Sequence, residues 1–168
     1  TTHADLTVAG GVSTVDYTTD YNDDNGHGTH VAGIIAAKNQ GTGLVGVAPD
    51  AEIYAVKAMD QNGDGNLQDV LEGIEWAVLN DMDILNISLG TDTDSSLLKA
   101  AIDNAYSQGI VIVGSAGNSQ KDANGNLIPS DLTLPSTIAL SPLPQWIILT
   151  PVEFFPQLDQ KLNWRLLV

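Results

Sequence analysis

The chain has 168 residues, 21 acids against 6 bases, and a net charge of −15 with the histidines neutral. That length suits one domain with a real core, and the acidic balance excludes nucleic acid and anionic lipid as partners, since both need a basic face. The absence of cysteine excludes disulfides, thiolate metal sites and a cysteine nucleophile; no apolar run reaches the roughly 18 residues of a membrane span.

The opening TTHADLTV has no basic start followed by an apolar stretch, so it does not read as a signal peptide. An apolar run over 31–37 follows a glycine-rich turn and has helix character. Residues 52–59 (EIYAVKAM) are strand-like. Over 67–80, apolar residues at 67, 70, 71, 74, 77 and 78 have helical spacing. Residues 83–88 (DILNIS) predict a short buried strand. A helix is expected over 95–108, with Leu97, Leu98, Ala101, Ile102 and Ala105 on one face, and Gly109 stops it. Residues 110–115 (IVIVGS) form a near-continuous apolar strand. This alternation implies an α/β fold, a doubly wound, mainly parallel sheet with helices on both faces.

The composition breaks near residue 138. All 16 glycines lie between Gly10 and Gly125, whereas the stretch after Ile138 holds both phenylalanines and four of the seven prolines. Pro142, Pro144, Pro151 and Pro156 interrupt any helix or central strand there. Only the last dozen residues have room for a short helix. The chain therefore divides into a body, 1–141, and an apolar, proline-rich tail, 142–168, whose surface suits packing on the body, on a partner, or on a second copy.

The sharpest motif is Asn25-Gly26-His27-Gly28-Thr29-His30-Val31-Ala32-Gly33. His27 sits between two glycines at the expected start of a helix, and glycine on each side lets another backbone approach its imidazole. An isolated histidine is more often structural than catalytic. His27 and His30, three apart on one helical face, also suit a metal, but no third ligand is signposted. Two further segments, Ser88-Leu89-Gly90 and Ser115-Ala116-Gly117-Asn118, each follow a predicted strand. Sites in open α/β sheets lie at the carboxyl ends of strands. Asn118 there either donates to a developing oxyanion or caps a turn.

Together these stretches resemble the subtilisin-like serine proteases. HGTHVAG is similar to the family's histidine motif, GVAPDAEIYAVKAM to the stretch after it, GIEWA with DILNISLG to the next helix and strand, IVIVGSAGN to the oxyanion segment, and LPSTIALS to the strand beyond. The resemblance covers about residues 1–141. It implies that His27 is the general base and Asn118 the oxyanion donor. It makes Ser88, Leu89 and Gly90 one wall, and Ser115, Ala116 and Gly117 the other, of the pocket for the side chain before the scissile bond. Leu67 and Val70 would line a pocket further along the substrate. A peptide or protein substrate and an extracellular setting are implied in the same way.

The family mechanism also needs an aspartate on an Asp-Ser/Thr-Gly strand and a serine in Gly-Thr-Ser-Met-Ala. Neither string occurs in the 168 residues, so the expectation is an incomplete fold and no activity from these residues alone. Back-translation from Gln145, read one nucleotide early, permits MDNFNSSGIFSPTGSKIKLAAPG, which resembles the family's next stretch. The tail after about Ser141 is therefore expected to be a frameshift product. The alternatives are a non-catalytic peptide- or calcium-binding module, or a two-chain enzyme in which another polypeptide supplies the missing aspartate and serine.

Calcium enters twice. Residues 60–66 place oxygen side chains at alternate positions with Gly65 sixth, like half a calcium loop, but the twelfth position is Leu71 rather than Glu; the same residues also read as a polar turn. The family resemblance, in turn, implies a structural calcium ligated by Asp5 and by Gln40 in the 38–44 loop.

Overall fold

The computed structural model describes residues 2–41, 43–91, 94–115, 120–121, 127–128 and 165–167. Strand β1 (Val8–Ser13) is followed by α1 (His27–Ala36), β2 (Glu52–Lys57), α2 (Leu67–Leu79), β3 (Ile84–Ile87), α3 (Ser96–Ser107) and β4 (Val111–Gly114). Two short antiparallel strands follow, β5 (Gln120–Lys121) and β6 (Leu127–Ile128). A last strand, β7 (Arg165–Leu167), rejoins the main sheet. The sheet order is β1-β2-β7-β3-β4, and every pairing in it is parallel.

The alternation of side chains along β2 and β3 builds two apolar layers. Tyr54, Val56, Leu85 and Ile87 point to one face and pack with α2 and α3, around Ile74, Ala77, Leu98, Ile102 and Ala105. Ile53 and Ile84 point to the other, where Ala32, Ala36 and Ala51 form a smaller layer beneath α1. The sheet is thus doubly wound, as the sequence predicts. No helix among the described residues is long and apolar enough to cross a membrane.

Helix ends are set by local chemistry. Asn66 caps α2: its Oδ1 accepts from Asp69 N at 2.9 Å while its Nδ2 donates to Asp69 Oδ2 at 2.8 Å. Ser95 Oγ caps α3 by accepting from Leu98 N at 3.2 Å. Both helices end in the same double backbone bond. In α3, Ile110 N reaches Ala105 O and Gly109 N reaches Tyr106 O, with Gly109 at a φ of 92°. In α2 the left-handed position is taken by Asp81, at a φ of 53°, which costs an L-residue about 1–2 kcal/mol.

The first helix begins at His27, the helix start that the sequence predicts. Three features differ from the sequence reading. Leu97 is 64% exposed, so the buried face of α3 is narrower than its apolar stripe. β1 was not legible, because its paired glycines look like a turn. Gly11 is there for space: a Cβ would lie 2.2 Å from Ala55 O and 2.9 Å from Tyr21 Cγ. Finally, residues 165–167 form a strand, not a helix. Backbone pairing to both β2 and β3 outweighs the local helical preference of so short a segment.

Candidate active site

The carboxyl ends of β2 and β3 and the amino end of α1 open on one cavity of about 610 Å³. His27, Val70, Ser88, Leu89 and Gly90 all line it. These residues come from three separate stretches of chain, and the parallel sheet brings them together because every strand ends on the same edge.

His27 is the first residue of α1. The preceding Gly26 has a φ of 100° and no side-chain cap, a conformation that glycine adopts without strain. The cap comes instead from Asp23. Its Oδ1 accepts from Gly26 N at 2.8 Å and Asn25 N at 3.0 Å. Its Oδ2 accepts from Thr29 N at 2.8 Å and Thr29 Oγ1 at 2.6 Å. Burial pushes the Asp23 carboxyl up, but the bonds from Thr29, Gly26 and Asn25 outweigh it and hold the group at about 2, against an ordinary 3.8. The carboxylate therefore fixes the turn that presents the exposed His27 side chain.

A second polar brace stands beside the first. Lys57 ends β2 as a buried lysine and pairs with Asp24. Its Nζ also lies 5.6 Å from the Tyr17 ring centroid, and Tyr17 Oη donates to Asp24 at 2.9 Å. The hydrogen bond from Lys57 lowers the Asp24 pKa. Sequence reasoning missed Asp23, Asp24 and Lys57. The available signals were the aspartate- and asparagine-rich run before His27, which favours side chain-to-backbone turns, and a lysine inside an otherwise apolar strand.

The two predicted pocket segments are joined at their base. Ser115 N donates to Ile87 O at 3.2 Å and Ser115 Oγ to Leu89 O at 2.7 Å. Asn86 Nδ2 donates to Ser88 Oγ at 2.8 Å, which orients the first wall. Ala116, Gly117 and Asn118 lie outside the described residues. Leu67, at the start of α2, is 40% exposed and does not line the cavity.

Among the described residues, no three His, Asp or Glu side chains gather as a metal cluster. The segments that carry Asp5 and Gln40 are bonded to each other: Lys38 N donates to Asp5 O at 2.8 Å, and Gln40 Nε2 donates to Ala4 O at 2.9 Å. Two side-chain oxygens are too few by themselves for calcium, which takes six to eight, so no step below passes through it. In the 60–66 loop the Asp60 carboxylate accepts from Asn62 N at 2.8 Å and Asp64 N at 3.0 Å. These bonds close a polar turn and lower the Asp60 pKa.

Comparison with known proteins identifies the family. The model of the subtilase family (peptidase S8) matches residues 2–142. The minor extracellular protease Epr of Bacillus subtilis (strain 168) is 54% identical over 139 residues, covering 83% of this chain and 21% of that protein. A thermostable alkaline protease of Halalkalibacterium halodurans is 53% identical over 116 residues, 69% of this chain and 32% of its own length. Subtilisin E of Bacillus subtilis (strain 168) is 47% identical over 139 residues, 82% of this chain and 36% of its own. The chain thus spans between about a fifth and two fifths of these relatives, and the first two are proteases by name. A family match over most of the chain, on a doubly wound sheet with a glycine-flanked histidine at its site edge, establishes that this chain belongs to the subtilase family.

Proposed function

We propose that residues 1–141 carry the general-base and oxyanion side of a serine endopeptidase site, together with most of one substrate pocket. A serine hydroxyl, supplied from outside these 168 residues, attacks the scissile carbonyl. The new C–O bond forms as the hydroxyl proton passes to the His27 imidazole and the carbonyl electron pair moves to oxygen. The Asn118 side-chain N–H donates to that oxyanion, an interaction worth about 3 kcal/mol in such sites. Collapse breaks the C–N bond, and His27 returns its proton to the leaving amine. The pocket between the 88–90 and 115–117 segments takes an apolar side chain, and Leu67 and Val70 contact the substrate further along.

The observation that supports this reading is the convergence of His27, Val70 and the 88–90 segment on one cavity, with Ser115 bonded to Leu89 at its base. Secretion belongs to the same proposal, because the similar Epr protease is extracellular by name.

A polypeptide of these 168 residues has no triad-dependent proteolysis in this reading, since neither the aspartate nor the serine string is among them. The test is hydrolysis of an apolar peptide p-nitroanilide, with no turnover above buffer expected. Activity abolished both by a serine-directed phosphonate and by His27→Ala would overturn it. We also propose that the stretch after about Ser141 is read out of frame. Resequencing the encoding DNA should show a single-base change that restores an Ala-Pro-Gly frame; a confirmed frame with no such continuation refutes this.

A further inference from the structure

The chain holds three Asn-Gly pairs, at 25–26, 62–63 and 124–125; the last lies outside the described residues. Such a pair can rearrange without an enzyme. The glycine nitrogen attacks the asparagine carboxamide, and no side chain on the glycine stands in the way. Asn25 and Asn62 are both exposed, and both line the cavity beside His27, so dipeptide and exposure do not separate them. Their hydrogen bonds do.

Ring closure at Asn25 has to break the start of α1. The carboxamide is held at both ends: Nδ2 donates to Gln61 O at 3.0 Å, and Oδ1 accepts from His27 N at 3.2 Å. The attacking Gly26 N donates to the Asp23 carboxylate at 2.8 Å, a negative charge that opposes loss of its proton. Gly26 O accepts from His30 N at 3.0 Å, in the first turn of the helix. Asn62 stands instead in a self-contained turn. Its Nδ2 donates to Asp60 Oδ2 at 3.2 Å and its N to Asp60 Oδ1 at 2.8 Å. The attacking Gly63 N donates to Asp60 O, a neutral carbonyl, at 3.0 Å. These bonds all run to Asp60, so the turn opens without disturbing a helix or strand, and local openings of that kind cost least.

We propose that Asn62 is a site of spontaneous covalent modification, and that its conversion to isoaspartate unhooks Asn25 from the turn and loosens the His27 backbone. First the bond from Gly63 N to Asn62 Cγ forms and the Cγ–Nδ2 bond breaks. The amide nitrogen leaves as ammonia, taking the Gly63 proton. Water then adds to either carbonyl of the five-membered ring, and the bond from that carbon to Gly63 N breaks. Opening at Cγ leaves aspartate. Opening at the main-chain carbon leaves isoaspartate, whose chain runs through the side chain and is one methylene longer. One water is consumed, one ammonia is released, and nothing is oxidised. The longer chain displaces Gln61 O, on which Asn25 Nδ2 rests, and Asn25 Oδ1 in turn holds His27 N. Either product also adds an acid beside Asp60 and Asp64, which line the same cavity. The site rests on turn geometry and not on the protease reading.

The test incubates the whole chain in mildly alkaline buffer and maps its peptides by mass and by enzymatic methylation of isoaspartate. Asn62 should convert at least tenfold faster than Asn25 in the folded chain, with isoaspartate among the products. In urea the two rates should converge to within about threefold, because the bonds that separate them are gone. Amide exchange at His27 should quicken at least tenfold once residue 62 is isoaspartate. In Asn62→Asp, which adds the charge but no methylene, it should stay within about twofold of the parent. The proposal fails if Asn25 converts as fast as Asn62 in the folded chain, or if the difference persists in urea. It fails equally if isoaspartate leaves His27 exchange unchanged, or if Asn62→Asp quickens it as much. Should Asn62→Asp not fold, the conversion rates and the His27 exchange of the parent chain decide alone.

Discussion

The two sides of the sheet are held by different forces. On the side of α2 and α3, ten buried residues form one apolar cluster, including Ile74, Leu85, Leu98, Ile102 and Ile112. On the side of α1 the buried cluster is Ala32, Ala36, Ala51 and Ile53. There the geometry is set by hydrogen bonds and charge: Asp23 under the His27 turn, Asp24 with Lys57, and the 46–48 segment bonded to the last carbonyls of α1. Methyl-sized side chains leave α1 close to the sheet, and polar braces locate its end more narrowly than packing would. The histidine is carried on the braced side, and the bulk of the apolar stabilisation lies on the other.

The comparison can be broken first where burial is greatest. Ile102 is 2% exposed, and Ile102→Ala should cost about 3 kcal/mol, from lost burial plus a residual cavity. Ala32→Gly on the α1 side should cost about 1 kcal/mol, mostly helix propensity. Urea denaturation of both variants checks the ratio; equal losses would erase the distinction between the layers.

Asp23→Ala tests the polar side. Removing this capping carboxylate should cost about 1 kcal/mol near neutral pH. The folded-state pKa of about 2 lies below the ordinary 3.8. The contribution is therefore fully present above about pH 4 and is lost as pH falls through 2. The parent and Asp23→Ala stabilities should converge over that window. A gap unchanged between pH 4 and 2 would show that the charge of Asp23 is not what braces the turn.

Two smaller effects sharpen the picture. Asp81→Gly should stabilise the chain by about 0.5–1 kcal/mol, because Asp81 holds the left-handed position at the end of α2 that Gly109 holds after α3. A thermal melt that moves down instead would mean that the aspartate side chain does more there than end a helix. His27→Ala should change stability by less than about 0.5 kcal/mol, since the side chain is exposed. A larger loss in the same denaturation series would assign the ring a structural role.

How far the fold could be read in advance depended on how local each cause is. α2 and β3 follow from periodicity within a dozen residues, and the end of α3 from Gly109. His27 stood out because glycines flank it on both sides. Asp23 did not, because its importance lies in four hydrogen bonds that exist only once the turn has closed. Leu97 carries the right periodicity yet stays exposed, because α3 packs along a stripe narrower than its apolar one. Gly11 gave no strand signal, because its need for space shows only once the Ala55 carbonyl lies against it.

What the sequence determined by itself was therefore the element pattern, the parallel doubly wound class and the family. Each is written in short-range spacing and in the HGTHVAG and IVIVGSAGN strings. Only the tertiary structure decided that residues 165–167 pair between β2 and β3, that Lys57 is buried against Asp24, and that His27 shares a cavity with the 88–90 segment. These are contacts between residues tens of positions apart. Their formation depends on loop closure and on which backbone edges are left to satisfy, neither of which is encoded in any one stretch of chain.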